Sequence, residues 1–312
     1  MFDLEKASEM ILARQSQLKF YRDIKLYGHV KEKGFVLYKP SGVTLDDLRI
    51  SEERYPGALY IKQADKIRGI QEAQRGFNQQ LKNHVIKGDS VKIKEILVNI
   101  IEETLTEPRS GSLEGMSETV NILAGDYAKK SEVVANLLAV SSKDYSTVLH
   151  SINLLAFALG FANHANYSLN ETRVVGLCAL LHDVGKVKIS QEILAAPRKL
   201  TKEEFEKMQQ HPLIGYNILK NCNFNSIEII RTALDHHEKL DRSGYPHGKD
   251  NISKIAQILG IIDCYEALTN DNRPYRKAAT PFEALGLLKK DVQEGKFDDT
   301  IFAEFVHYLG EK

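Results

Sequence analysis

Residues 235–248 read DHHEKLDRSGYPHG, which places His236 and His237 side by side, among carboxylates and directly ahead of a Gly-Tyr-Pro turn. Imidazole nitrogens beside carboxylate oxygens suit metal ligation or proton transfer, and they also occur at plain helix ends. The same residue types recur at His150, at the pair His182-Asp183, at His211 and at Asp263. Where they fall on the apolar stripes narrows the choice.

His150, Leu154, Phe157 and Phe161 recur at i, i+4, i+7 and i+11, so His150 belongs to the inward face of its helix. Val175, Cys178 and His182 recur at i, i+3 and i+7 with Asp183 next, near a helix end that Gly185 is expected to terminate. Ile230, Ala233 or Leu234, and His237 share another face, as do Ile255, Leu259, Ile262 and Asp263. Four helices therefore each deliver a His or an Asp to the interior. A single buried histidine is ordinarily a hydrogen-bonded core residue. A buried carboxylate costs several kcal/mol unless a partner or a metal answers it. Two such aspartates with at least four histidines are most simply answered by metal ions. The mixture of neutral nitrogen and anionic oxygen suits Fe, Mn or Zn better than Ca²⁺ or Mg²⁺, which prefer oxygen shells.

The elements that must position these groups are mostly helical. Residues 1–65 carry short β-rich runs, GFVLYKP (34–40) and GALYIKQ (57–63), with Thr44 as a candidate helix cap, and read as a small α+β unit. From 66 to 140 the pattern becomes helical: Val91, Ile93, Ile96, Leu97, Ile100, Ile101 and Leu105 lie close to one stripe, and EPRSGSLEG (107–115) reads as a break between helices. From 141 onward nearly everything is helical. Thr201 with Glu204 has capping-box form, and His211-Pro212 suggests a helix entry. The expected fold is mainly α, a multi-helix bundle with a small N-terminal α+β domain.

Composition removes several function classes. Among 312 residues, Lys+Arg and Asp+Glu both number 42, so there is no basic excess of the kind that tracks a nucleic-acid backbone. Cys178, Cys222 and Cys264 form no CxxC pair, which fits a reducing compartment. The longest apolar run, around 152–162, is far short of a membrane span, and the opening residues do not resemble a secretory signal. The expectation is a cytoplasmic protein with neither a membrane nor a nucleic-acid polymer as partner.

Four segments in order, HDVGK (182–186), HPLIG (211–215), HHEKLDRSGYP (236–246) and DCYEALTNDNRPYR (263–276), resemble the HD-GYP subgroup of the HD phosphohydrolase superfamily over about residues 140–312. The resemblance implies an HD-type helical bundle at 141–312; ahead of it, outside the resemblance, the pattern reads as a helical connecting region at 66–140 and an N-terminal regulatory domain at 1–65. It implies a phosphodiesterase that opens cyclic di-GMP to pGpG, and further to GMP in some members, through a hydroxide activated by metals. Carried over residue by residue, His150, His182, Asp183 and Asp263 would hold one metal, with Asp183 bridging to a second held by His211, His236 and His237. Asp183 then needs no role as a base. Lys186 would contact the scissile phosphate, Arg273 and Arg276 the phosphate oxygens, and Tyr245 the ligand from its loop. Fe or Mn is the first expectation for the metal, with Zn, Ni and Co also compatible with the donors.

The departures from the family pattern carry expectations of their own. Ser146 stands where members with a third metal have Glu, which implies two metals rather than three. Arg242 stands where Gly is usual and is expected to affect ligand entry; Glu266 stands where Asp is usual. Glu238 and Asp241 are candidates for orienting the histidine rings, Asp241 foremost. His164 and His247 are expected to be exposed, and Cys264 to belong to the core. A different class of function is an HD-GYP module that binds cyclic di-GMP or a partner protein without turnover, motivated by Arg242 and the altered segment before Arg273. A third is a phosphohydrolase acting on another nucleotide. The N-terminal region is the expected site of homodimerisation or of a protein partner.

Overall fold

The computed structural model describes residues 9–46, 48, 57–106, 110–127, 147–222, 226–270 and 277–310. The chain divides into two compact units, Met1–Gln80 and Leu81–Lys312.

In the first unit the strands β1 (Met10–Leu12), β2 (Leu26–Val30), β3 (Gly34–Lys39) and β4 (Leu59–Lys62) form an antiparallel sheet in the order β1-β4-β2-β3. Tyr27 pairs with Tyr60 and Gly28 with Val36, and the β2–β3 register shifts between Leu26 and Tyr27. β3 and β4 fall where the β-rich runs predict them, whereas β1 and β2 are too short or too mixed in composition to have stood out. Leu26, Leu59 and Ile61 are buried together with Leu18, Tyr21 and Ile24 from the segments between strands. Lys39 is also fully buried, and its ammonium donates to the carbonyls of Arg22, Pro40 and Val43 at 3.1, 2.9 and 2.8 Å, so the loop backbone surrounds the charge. The division between the units falls within α1 (Lys66–Lys87).

The second unit continues with α2 (Ser90–Thr106) and α3 (Ser110–Ile122), which runs into a π-helical turn, Leu123–Tyr127. α3 begins inside the stretch read as a break. The apolar stripe of α2 buries Ile93, Leu97, Ile100 and Ile101 completely. Then come α4 (Thr147–His164), α5 (Leu169–Leu181), a 3-10 turn (Val184–Lys188), α6 (Gln191–Leu194), α7 (Lys202–Met208), α8 (His211–Asn221), α9 (Ile227–Asp235), α10 (Lys254–Thr269), α11 (Pro281–Gln293) and α12 (Asp299–Gly310). α4, α5 and α10 carry apolar residues on nearly every face because other helices surround them: α4 packs on α5 and α10, α9 on α5 and α10, and α2 and α3 on α4 and α5. The helices between 81 and 122 thus belong to the same compact unit as the later bundle.

Local signals start these helices. Ser168 with Glu171, Thr201 with Glu204 and Thr280 with Glu283 each form a reciprocal capping box at the heads of α5, α7 and α11. Gly185 does not end α5, contrary to the sequence reading. α5 stops at Leu181 with His182 as its C-cap, and Gly185 lies within the following 3-10 turn. A Cβ there would come within 2.0 Å of the His211 carbonyl oxygen and 2.5 Å of the Gly215 nitrogen. Only glycine lets this turn lie directly against the start of α8.

Candidate metal centre

Five helices bring seven side chains to one place. His150 comes from α4, His182 and Asp183 from the end of α5, His211 from the first turn of α8, His236 and His237 from the end of α9 and Asp263 from the middle of α10. Their donor atoms form two sets that could each hold a metal ion: His150, His182 and Asp263 in one, Asp183, His211, His236 and His237 in the other. All but His237, which is half-buried, are buried.

Asp183 stands between the sets. Its Oδ2 lies 3.2 Å from His182 Nε2 and 3.6 Å from His150 Nε2, while its Oδ1 lies 3.2 Å from His211 Nε2 and 3.8 Å from His236 Nε2. One oxygen faces each set, an arrangement suited to a bridging ligand. Asp263 spans similarly, with Oδ1 3.1 Å from His150 Nε2 and Oδ2 3.7 Å from His237 Nδ1.

The histidine tautomers follow from what lies behind the rings. His182 Nδ1 donates to the Ala179 carbonyl and His211 Nδ1 to the Met208 carbonyl, each at 2.7 Å, and His236 Nδ1 to the Ala233 carbonyl at 3.1 Å. A carbonyl only accepts, so each Nδ1 carries the proton and each Nε2 is the nitrogen that points inward. His211 Nε2 and His236 Nε2 then face each other at 3.3 Å, and Asp183 Oδ1 is buried beside them without a hydrogen-bond donor. Burial and the neighbouring His182 and His211 hold His236 well below its ordinary pKa. Converging lone pairs on desolvated atoms are repulsive, and a divalent cation among them removes the repulsion. The residues present therefore fit a metal.

Charge is distributed in the same sense elsewhere in the cluster. Burial opposes ionisation of Asp183 and Asp263, but His182 and Lys186 on one, and His150 and His237 on the other, outweigh it and keep both carboxyls well below their ordinary range. Burial would also lower His150; the carboxylates of Glu266 and Asp263 overcome it and push the imidazole up to about 10. His237, by contrast, is held well below its ordinary value by burial and by His236.

Glu266 is the residue whose role the sequence reading missed. Its Oε2 accepts from His150 Nδ1 at 2.6 Å, and its Oε1 accepts from Asn153 at 2.9 Å and Asn270 at 2.6 Å. It is buried, yet His150 and the two amides keep its carboxyl below the ordinary value. The signal was its spacing: Glu266 follows Asp263 by three residues, hence on the same face of α10.

Other expectations divide. Lys186 Nζ donates to Asp183 Oδ2 and keeps a partly exposed side chain. Tyr245 stacks on His237, centroids 4.6 Å apart and planes at 30°. Asp241 orients no histidine: it is exposed and accepts from the Ser243 nitrogen and hydroxyl at 2.9 and 2.6 Å, closing its own turn. Glu238 is buried but holds the loop, accepting from the nitrogens of His247 at 2.8 Å and Lys249 at 3.1 Å. Arg242 adopts φ +66°, where an L-residue is strained, and its side chain turns outward to Asp250 at 2.7 Å. His247 is exposed as expected; His164 is instead half-buried in the last turn of α4, near Tyr308. Cys264 is half-buried and lies in neither donor set. Ser146, Arg273 and Arg276 lie outside the described residues.

Among the described residues no helix is long and apolar enough to cross a membrane. Residues 132–301 match the HD domain family. The chain is 32% identical over 196 residues to the cyclic di-GMP phosphodiesterase PA4108 of Pseudomonas aeruginosa, covering 62% of this chain and 47% of that protein. It is 31% identical over 173 residues to 3'3'-cGAMP-specific phosphodiesterase 1 of Vibrio cholerae, covering 54% of this chain and 40% of that protein. It thus spans less than half the length of either relative. In fold it is similar to Bd1817, described as a HDG"Y"P protein from Bdellovibrio bacteriovorus, with a TM-score of 0.64 at 15% identity, covering 97% of this chain and 100% of that one. The match over more than half the sequence, with the His and Asp residues of its motif segments gathered in one cluster, establishes that this chain belongs to the HD domain family.

Proposed function

We propose that this chain is a metal-dependent phosphodiesterase that opens cyclic dinucleotides, cyclic di-GMP first among them, to the linear pGpG. The observation that carries the reading is Asp183, with one carboxylate oxygen on each of two His-rich donor sets. His150, His182, Asp183 and Asp263 would hold one ion, and Asp183, His211, His236 and His237 the other. Ions so held supply an activated water and neutralise phosphate charge, the two needs of an anionic, unreactive phosphodiester.

The remaining work belongs to the side chains around them. Lys186 lies over Asp183, placed to exchange that contact for a nonbridging oxygen of the substrate. Tyr245, stacked on His237 and carried by the loop that Glu238 secures, offers a ring face beside the same spot. Glu266 holds the His150 ring with Nε2 inward. The names of the relatives, one acting on cyclic di-GMP and one on 3'3'-cGAMP, support the substrate class.

The test is to purify the protein anaerobically with Fe or Mn, incubate it with cyclic di-GMP and with 3'3'-cGAMP, and chromatograph the products. Release of pGpG or of linear GMP-AMP is expected. Binding without any linear product would replace the enzyme by a cyclic-dinucleotide binding module.

A further inference from the structure

The histidines of the cluster are not all held in the same way. His150, His182, His211 and His236 each commit Nδ1 to an acceptor behind the ring. His237 does not. Among the described residues no hydrogen bond reaches its ring, and Asp263 Oδ2 stands 3.7 Å from its Nδ1, too far for one. It is also the one candidate ligand that is only half-buried. A ring free to turn loses that freedom when it binds a metal, so affinity depends on what holds it beforehand.

Aromatic contacts take the place of the missing hydrogen bond. Gly244 lets the loop fold back on residues 237–239, where a Cβ would come within 2.4 Å of the Lys239 nitrogen and 2.5 Å of the His237 carbonyl oxygen. The Tyr245 nitrogen donates to that same carbonyl at 3.2 Å, and the Tyr245 ring falls on the His237 imidazole. Phe205 of α7 meets Tyr245 in turn, with ring centroids 6.3 Å apart and planes at 76°, an edge-to-face contact. Phe205 is 47% exposed, so burial in a core does not account for it. Three residues on, the Met208 carbonyl accepts from His211 Nδ1. α7 therefore reaches two candidate ligands of one donor set, His211 through a carbonyl and His237 through two rings.

Resting on the metal-dependent reading of the cluster, we propose that Phe205 is a positioning residue for His237, acting through Tyr245. The column Phe205–Tyr245–His237 does for this imidazole what an acceptor behind the ring does for the other four. With Tyr245 pinned from α7, the His237 ring keeps one orientation toward the ion; without Phe205 both rings are free to turn. The effect falls on metal affinity.

The test is a double-mutant cycle, read as the Mn²⁺ affinity of the full chain by equilibrium dialysis. Phe205→Leu keeps an apolar side chain and loses the ring. It is expected to weaken Mn²⁺ binding about twofold to tenfold, the fold-change that one aromatic pair is worth. Phe205→Tyr keeps the ring and is expected to bind as the unmodified chain does. Tyr245→Leu is expected to weaken binding at least as much as Phe205→Leu, and adding Phe205→Leu to it to cost nothing further. A loss of the same size in both backgrounds means that Phe205 acts by another route, and overturns the proposal. So does unchanged affinity in Phe205→Leu, or an equal loss in Phe205→Tyr, which would mark a general disturbance of α7. Each of these failures leaves the metal reading standing, because the unmodified chain still binds. If the unmodified chain retains neither Mn²⁺ nor Fe²⁺, the metal reading itself fails and the positioning role falls with it.

Discussion

At the scale of single residues, the site is organised by which atom of each side chain is already committed. His182, His211 and His236 spend their Nδ1 protons on backbone carbonyls, and His150 spends its own on Glu266. The Nε2 atoms of these rings all face Asp183 or Asp263. Asp183→Ala is therefore expected to abolish both metal retention and turnover; unchanged metal content by elemental analysis would remove Asp183 from the ligand set. Glu266→Gln keeps the shape and loses the charge. Metal affinity is expected to fall about tenfold, measured by competition with a chromophoric chelator, since a neutral amide neither orients the ring as firmly nor raises its basicity. Arg242 belongs to a different ledger. Its φ of +66° costs an L-residue roughly 1 kcal/mol, and its exposed pairing with Asp250 returns little. Arg242→Gly is expected to raise the thermal midpoint slightly and to leave metal content alone, a result that differential scanning calorimetry with elemental analysis would check.

At the scale of elements, backbone contacts decide whether ligands from different helices meet. The 3-10 turn after Asp183 touches the start of α8 through Gly185 and Gly215, which brings Asp183 to His211. Gly185→Ala drives a methyl into the His211 carbonyl. It is expected to cost about 2 to 3 kcal/mol in denaturant titrations and to empty the site held by His211, because neither backbone can yield independently. Helix packing also sets cysteine chemistry. Burial pushes the Cys178 thiol up to about 12 and that of Cys264 up to about 11, since a thiolate is disfavoured without water. At pH 8 only about one Cys264 thiol in a thousand is then ionised, and fewer for Cys178. Both should resist iodoacetamide in the folded protein and react after denaturation, which peptide mass spectrometry resolves. Reactivity of Cys264 should rise only as pH climbs toward 11, because the raised value moves the reactive form to higher pH.

At the scale of the whole molecule, all seven candidate ligands lie within Leu81–Lys312 and none in Met1–Gln80. Ions bound there join five helices that the unfolded chain cannot hold together. At a hundredfold excess over Kd such binding adds about 2.7 kcal/mol. In calorimetry, the transition of the larger unit is expected to rise by roughly 5 to 10 °C on metal loading and to fall back on chelation. A shift in the smaller unit's transition instead would place the metal elsewhere. The sequence by itself determined the helical class, the cap at Thr201, and the inward placement of His150, His182, His237 and Asp263. Periodicity reports which face of a helix is buried, and that is enough to nominate a ligand. It does not report what the buried face meets. Only the tertiary structure decided that Asp183 divides its two oxygens between two sets, that Glu266 rather than Asp241 steadies a histidine, that Glu238 serves the loop, and that Gly185 is there for a close approach rather than a helix end. Each of these depends on distances between segments far apart in the chain, which packing alone establishes.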